Sequence, residues 1–210
     1  TTDYWRLARA LVRSRSEVVL PAYPLAPDAT VDDVLPRLIE VAAGDDGLPT
    51  VLMGDSAGGA LVLVVARALR DRGGPMPSGV VALSPWLDAT LSDEEVRDLE
   101  ASDPMLAGSG LRAAGRWWAG ARPPSDPLVS PVNGGLAGLP PLDVFIGDHD
   151  ILRPAVDRLV ERARVEGAEL HVHEVRAMSH VWMTRAIPEG RRTRRELARP
   201  VRARASASGR

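Results

Sequence analysis

The stretch from Thr50 to Arg70 constrains the fold more than any other. Thr50-Val51-Leu52-Met53 is a short apolar run and Ala60 to Arg70 is a strongly apolar helical segment, with Gly54-Asp55-Ser56-Ala57-Gly58-Gly59 between them. An apolar run that turns at once into a helix is a strand–turn–helix unit. The rest of the chain repeats that alternation. The spacing predicts a helix over 3–13 (Trp5, Leu7, Ala8, Leu11 and Val12, with Thr2 or Asp3 as cap) and one over 32–43 stopped by Gly44. It predicts another over 155–166 closed by Gly167, and an Arg-rich one over roughly 188–204. Strands are predicted at 17–20, 50–53, 80–83, 143–146 and 169–175. Most are continuous apolar runs, the pattern of a mostly parallel sheet covered by helices on both faces, so the class is α/β.

Residues 87–140 break this rhythm. They are rich in Pro, Gly and acidic residues and carry Trp117 and Trp118. They read as an insertion over the carboxyl ends of the strands, where α/β sheets bind ligands. The organisation expected is one domain over 1–204, interrupted by that insertion, and a frayed tail over 205–210.

Composition narrows the chemistry. At 210 residues and 45% hydrophobic the chain can build a full core, and its net charge of -2 gives no overall basic field for nucleic acid. There is no cysteine, which removes disulfides, thiol catalysis and cysteine-rich zinc sites and is compatible with a reducing, cytoplasmic location. No apolar run has membrane-spanning length. All 26 basic residues are Arg. The Arg-rich end (Arg191, Arg192, Arg194, Arg195, Arg199) reads as the solvated face of the last helix, and Asp93-Glu94-Glu95 as surface.

Gly54-x-Ser56-x-Gly58 between a strand and a helix is the setting a nucleophilic serine needs. The sharp turn lifts the hydroxyl above the sheet, and Gly54, Gly58 and Gly59 are expected because a Cβ there would clash. The backbone N–H of Ala57, at the start of the helix, is placed to donate to an oxyanion. The bland alternative is a glycine-rich turn that only packs helix on strand. A serine of this kind needs a base and an orienting acid, in the chain order Ser, acid, His. His180 follows the last strand and is the expected base. His149 comes too early, and His171 and His173 alternate within a strand as a solvated His-x-His pair with no third metal ligand. Asp150 is preferred over Asp148 as the acid, one turn beyond the strand and just before a helix. Asp55 is expected to be structural. Trp86, Met105 and Trp117 are candidates for an apolar substrate pocket. For Trp117 and Trp118, simple packing of the insertion is an equal alternative.

At these residues the chain resembles the hormone-sensitive-lipase-like esterases, the α/β-hydrolase fold-3 group of bacteria. The resemblance is carried by Gly54-Asp55-Ser56-Ala57-Gly58-Gly59, Tyr23-Pro24-Leu25-Ala26-Pro27 (with Pro24 where the family has Arg) and Leu83-Ser84-Pro85-Trp86-Leu87-Asp88. Asp103-Pro104-Met105, Asp126 to Pro131, Asp150-Ile151-Leu152 and Met178-Ser179-His180 also match. It implies the triad Ser56, Asp150 and His180, and hydrolysis of short-chain carboxylic esters without cofactor or metal, with acetyl esters or lactones suggested. It also implies a small-molecule ester as the partner and dimerisation through the last strand and helix.

One departure is expected to matter. The family carries a His-Gly-Gly-Gly stretch upstream of the nucleophile, whose N–H groups complete the oxyanion hole, and this chain starts where that stretch would just have ended. The reading is therefore of a chain without its first strands. Residues 17–20 would then lose the neighbour between them and 50–53, or move over to pair with Val51–Met53. An impaired fragment or a non-catalytic remnant is the alternative function. A peptidase or acyltransferase on the same scaffold is a third reading.

Overall fold

In a computed structural model, residues 2–12, 16–44 and 48–207 are described, with the backbone alone for 2–3 and 198–207. Four strands form the sheet: β1 (Val51–Asp55), β2 (Gly79–Leu83), β3 (Leu142–Gly147) and β4 (Leu170–Val175). They lie in that order, and every pair is parallel. The register sets Val51 opposite Gly79, Val80 opposite Leu142, and Leu142 opposite Leu170. Among the described residues the α-helices are α1 (Thr2–Val12), α2 (Val31–Ala43), α3 (Ala57–Asp71), α4 (Val96–Glu100), α5 (Gly108–Ala119), α6 (Arg153–Glu166) and α7 (Pro188–Ala207).

The central strands are apolar except at Asp143, and their packing shows why. Val80 and Ala82 of β2 point to one face with Leu142, Val144 and Ile146 of β3, where α3 and α6 cover them. Val81, Leu83 and Phe145 point to the other face, under Leu7 and Leu11 of α1, Leu197 of α7, and Trp182 and Met183. Each strand residue is therefore buried on whichever side it faces. A third cluster joins α2, the outer side of α3 and the segment after β2, through Leu35, Leu38, Val64, Trp86 and Ala89. α2 starts where Thr30 donates its backbone N–H to Asp33 Oδ2 at 2.9 Å, and α6 ends at Gly167 with φ 66°.

The expected strand at 17–20 does not form. Residues 16–25 have no regular structure, with Val19 and Leu20 64% and 61% exposed. Nor do they pair with Val51–Met53: among the described residues β1 has a strand neighbour on one side only, β2. The short run Glu17–Leu20 has no partner strand among the described residues and so no ladder to join. At the sheet edge β4, with only β3 beside it among the described residues, is exposed at 171–174. On α1, Leu7, Ala8 and Leu11 are buried, whereas Trp5 and Val12 face outward. The last helix runs to Ala207, three residues beyond the expected limit of 204, and 208–210 lie outside the described residues. Arg194 is not on a solvated face. It is buried and its guanidinium donates to the Met183 and Arg185 carbonyls, while Arg191, Arg192 and Arg195 are exposed and the Arg199 side chain lies outside the description. No helix among the described residues is long and apolar enough to cross a membrane.

Candidate active site

All four strands end on the same side of the sheet, and each end carries one piece of the site. Ser56 follows β1 directly, at φ 52° and ψ −118°. A non-glycine residue at positive φ is strained unless its neighbours hold it there. The Ser56 N–H donates to the Leu83 carbonyl at the end of β2 at 2.9 Å. Its own carbonyl accepts from Trp86 N–H at 2.9 Å and from Ala60 N–H at 3.2 Å. Helix α3 begins at Ala57, so the Ala57 N–H is at the open end of the helix.

The glycines around Ser56 are not equivalent. A Cβ on Gly54 would fall on the Gly58 carbonyl, and one on Gly59 would sit 2.9 Å from Pro85 Cα. A Cβ on Gly58 would meet nothing within 4 Å. The expected clash therefore holds at Gly54 and Gly59 and fails at Gly58, whose Cα faces open space on the first turn of α3.

Beyond β3 the chain turns into α6 through Asp150, and beyond β4 it reaches His180. These loops approach so closely that a Cβ on Gly147 would strike the Met178 carbonyl, and His149 N–H donates to that carbonyl at 3.1 Å. His180 Nδ1 lies 2.9 Å from Asp150 Oδ2, with both side chains buried. Asp150 Oδ1 accepts from Leu152 N–H at 3.0 Å, which fixes the carboxylate. Asp148 is not joined to His180. Its Oδ1 is buried without a hydrogen-bond partner, 3.9 Å from His149 Nε2. His171 pairs with Glu169 at 3.1 Å on the exposed edge strand, and His173 pairs with Asp143 at 3.1 Å and stacks on Phe145. Among the described residues no group of three or more His, Cys, Asp or Glu could hold a metal ion.

Several contacts went unnoticed in the sequence. Asp55 Oδ2 accepts from the Tyr4 hydroxyl at 2.7 Å, so this carboxylate ties α1 to the serine turn. Burial, and then the Asp55 charge, push the Tyr23 phenol above its ordinary pKa. Ser84, at φ 43°, donates its N–H to the Phe145 carbonyl at 2.7 Å, and its Oγ accepts from Val181 N–H at 3.1 Å. Asp103, in the segment after β2, accepts from Ile151 N–H at 3.1 Å, next to Asp150. The pocket candidates scatter. Trp86 is buried in the core with its indole N–H on the Asp88 carbonyl, Trp117 is 55% exposed, and Met105 is 48% exposed with its Sδ against the Arg185 guanidinium. Trp118 packs partly buried against the core.

The order in which these groups leave successive parallel strands, serine first, carboxylate next, imidazole last, is that of the α/β hydrolases. The model of the family described as alpha/beta hydrolase fold matches residues 1–184, and the chain belongs to that family, in its hormone-sensitive-lipase-like branch. An acetyl-hydrolase of Streptomyces hygroscopicus is 35% identical over 67% of this chain and 48% of its own length. An esterase of Acinetobacter venetianus is 32% identical over 77% of this chain and 54% of its own. The chain thus spans about half the length of these curated relatives. Among solved structures, an esterase from the bacterial hormone-sensitive lipase family matches with a TM-score of 0.84 and 32% identity, over 95% of this chain and 68% of that one. A hormone-sensitive lipase from a metagenome library gives 0.78 and 29%, over 87% and 64%.

Proposed function

We propose that the protein hydrolyses short-chain carboxylic esters, acetyl esters or lactones among them, through Ser56, His180 and Asp150. The observation that carries this reading is the buried His180–Asp150 hydrogen bond of 2.9 Å, on the same side of the sheet as a serine held at φ 52°. His180 Nε2 takes the Ser56 proton as Oγ attacks the ester carbonyl, and the oxyanion meets the Ala57 N–H. The intermediate collapses as His180 returns the proton to the departing alcohol oxygen. A water deprotonated by His180 then attacks the acyl-serine, and His180 returns that proton to Ser56 Oγ as the acid leaves. Asp150, bonded to Nδ1, holds the ring and the charge it acquires. The relatives named acetyl-hydrolase and esterase support the substrate class. The location we propose is the cytoplasm, with which the absence of cysteine is compatible.

A fluorophosphonate probe tests the reading. It is expected to modify Ser56 alone, as read by peptide mass spectrometry, and to leave Ser56→Ala untouched. Absence of label on a folded sample, or equal turnover of 4-nitrophenyl acetate by the two proteins, would overturn it.

A further inference from the structure

The chain leaves His180 through a residue in an unusual conformation. Val181 stands at φ 49° and ψ 35°, in the left-handed region. A β-branched residue adopts that region only where surrounding bonds impose it, because its Cβ crowds the following carbonyl. The same departure recurs around the site. Of five non-glycine residues at positive φ among those described, four follow strand ends: Ser56 after β1, Ser84 after β2, and Ala177 and Val181 after β4.

Bonds on both sides hold Val181 there. Its carbonyl accepts from Thr184 N–H at 3.1 Å and from Thr184 Oγ1 at 3.0 Å. Its N–H donates to Ser84 Oγ at 3.1 Å. The two partners differ in kind. Thr184 is three positions on, so its bonds close a local turn and travel with it. Ser84 is 97 positions away and ties that turn to the sheet. Ser84 is itself fixed: it is fully buried, at φ 43°, and its own N–H donates to the Phe145 carbonyl of β3 at 2.7 Å. β3 is the strand that leads to Asp150, whose Oδ2 lies 2.9 Å from His180 Nδ1. One side chain therefore stands between the strand that carries the carboxylate and the peptide that follows the imidazole. A change of φ at Val181 would turn that peptide, and with it the placement of the ring against Asp150. Without the Ser84 Oγ, the buried Val181 N–H would lose its partner.

We propose that Ser84 is a positioning residue for His180, its hydroxyl oxygen holding the Val181 peptide in the left-handed conformation that aims the imidazole. This rests on the ester-hydrolase reading above. Ser84→Gly removes the Oγ and suits a positive φ, and Ser84→Ala is the second variant. With 4-nitrophenyl acetate, each is expected to lower kcat about tenfold, the scale of one hydrogen bond, at unchanged KM. The low-field proton of the His180–Asp150 bond, read by proton NMR and identified by its absence from His180→Gln, is expected to broaden or vanish in both. A purely structural role would lower the urea midpoint and leave kcat per folded molecule and that resonance as they are. In the parent protein, the Val181 N–H is expected to exchange with deuterium as slowly as the amides of β2 and β3. Parent-like kcat in both variants, an unchanged low-field resonance, or fast exchange at Val181 overturns the proposal. Turnover that Ser56→Ala abolishes and Ser84→Gly leaves intact removes only this inference. Turnover that Ser56→Ala leaves intact removes the hydrolase reading with it.

Discussion

Ser56 shows how little room the chemistry leaves a single residue. Its positive φ is kept by hydrogen bonds on both sides of its peptide, to the Leu83 carbonyl and from Trp86 N–H, and by the contact of Gly54 with the Gly58 carbonyl. Gly54→Ala is expected to abolish fluorophosphonate labelling. Gly58→Ala is expected to keep it and to raise stability by about 0.5–1 kcal/mol, because alanine is the better residue in an open helical position. The two variants, compared by labelling and by urea unfolding, separate steric need from mere glycine content. The acid is judged the same way. Asp150→Asn leaves the loop intact but removes the charge behind His180, and kcat is expected to fall by about 10⁴. Asp148→Asn, which has no bond to the ring, is expected to stay within about threefold. Reversal of that order in acetate-ester turnover would reassign the acid.

At the scale of elements, two buried groups fasten the long segment between β2 and β3. Asp88 accepts from Thr90 N–H at 2.8 Å and from Arg158 Nη1 of α6 at 2.7 Å. Burial alone would push its carboxyl up, but the Thr90 and Arg158 bonds outweigh that and hold it below the usual carboxylate range. A depressed folded-state pKa contributes stability above the unfolded value, and that stability is lost as pH falls through the folded one. Asp88→Asn is therefore expected to be less stable than the parent at pH 7, with the gap narrowing below about pH 4, in urea midpoints taken across that range. Arg67 does the opposite electrostatically. Burial pushes its guanidinium down to about 10, yet it donates to the carbonyls of Pro131, Gly134 and Gly135. Arg67→Met removes the buried charge but strands those acceptors, and a loss of about 2–4 kcal/mol is expected on unfolding.

For the whole molecule, legibility in the sequence follows what each element depends on. The strands at 80–83 and 143–146 were readable because both faces are buried and, apart from Asp143, whose carboxylate is paired with His173, every residue is apolar whichever way it points. The run at 17–20 was equally apolar and is no strand, because a strand needs a neighbour and sequence-local patterning cannot supply one. Asp150 could be placed from its position just past a strand. The Tyr4–Asp55 bond could not, since it joins residues 51 positions apart. Arg194 looked like surface because the carbonyls that bury it belong to a turn whose shape the sequence does not announce. Among the described residues β1 has a strand on one side only, and Leu20, Leu25 and Leu48 are 61%, 68% and 63% exposed, apolar surface that invites association with another chain. Concentration-dependent light scattering is expected, and Leu20→Lys with Leu48→Lys is expected to suppress it.

Ser84 gives the site a common datum. The end of β2 holds Ser56 through the Leu83 carbonyl and the loop of His180 through Ser84 Oγ. A shift of that strand tip would carry Ser56 and His180 in the same direction, as two pointers on one ruler move together. Their separation is thereby shielded from distortions arising in the outer helices, the sheet edges or the long segment after β2. Such a molecule can accept change at its periphery without retuning the distance on which the proposed proton transfer depends.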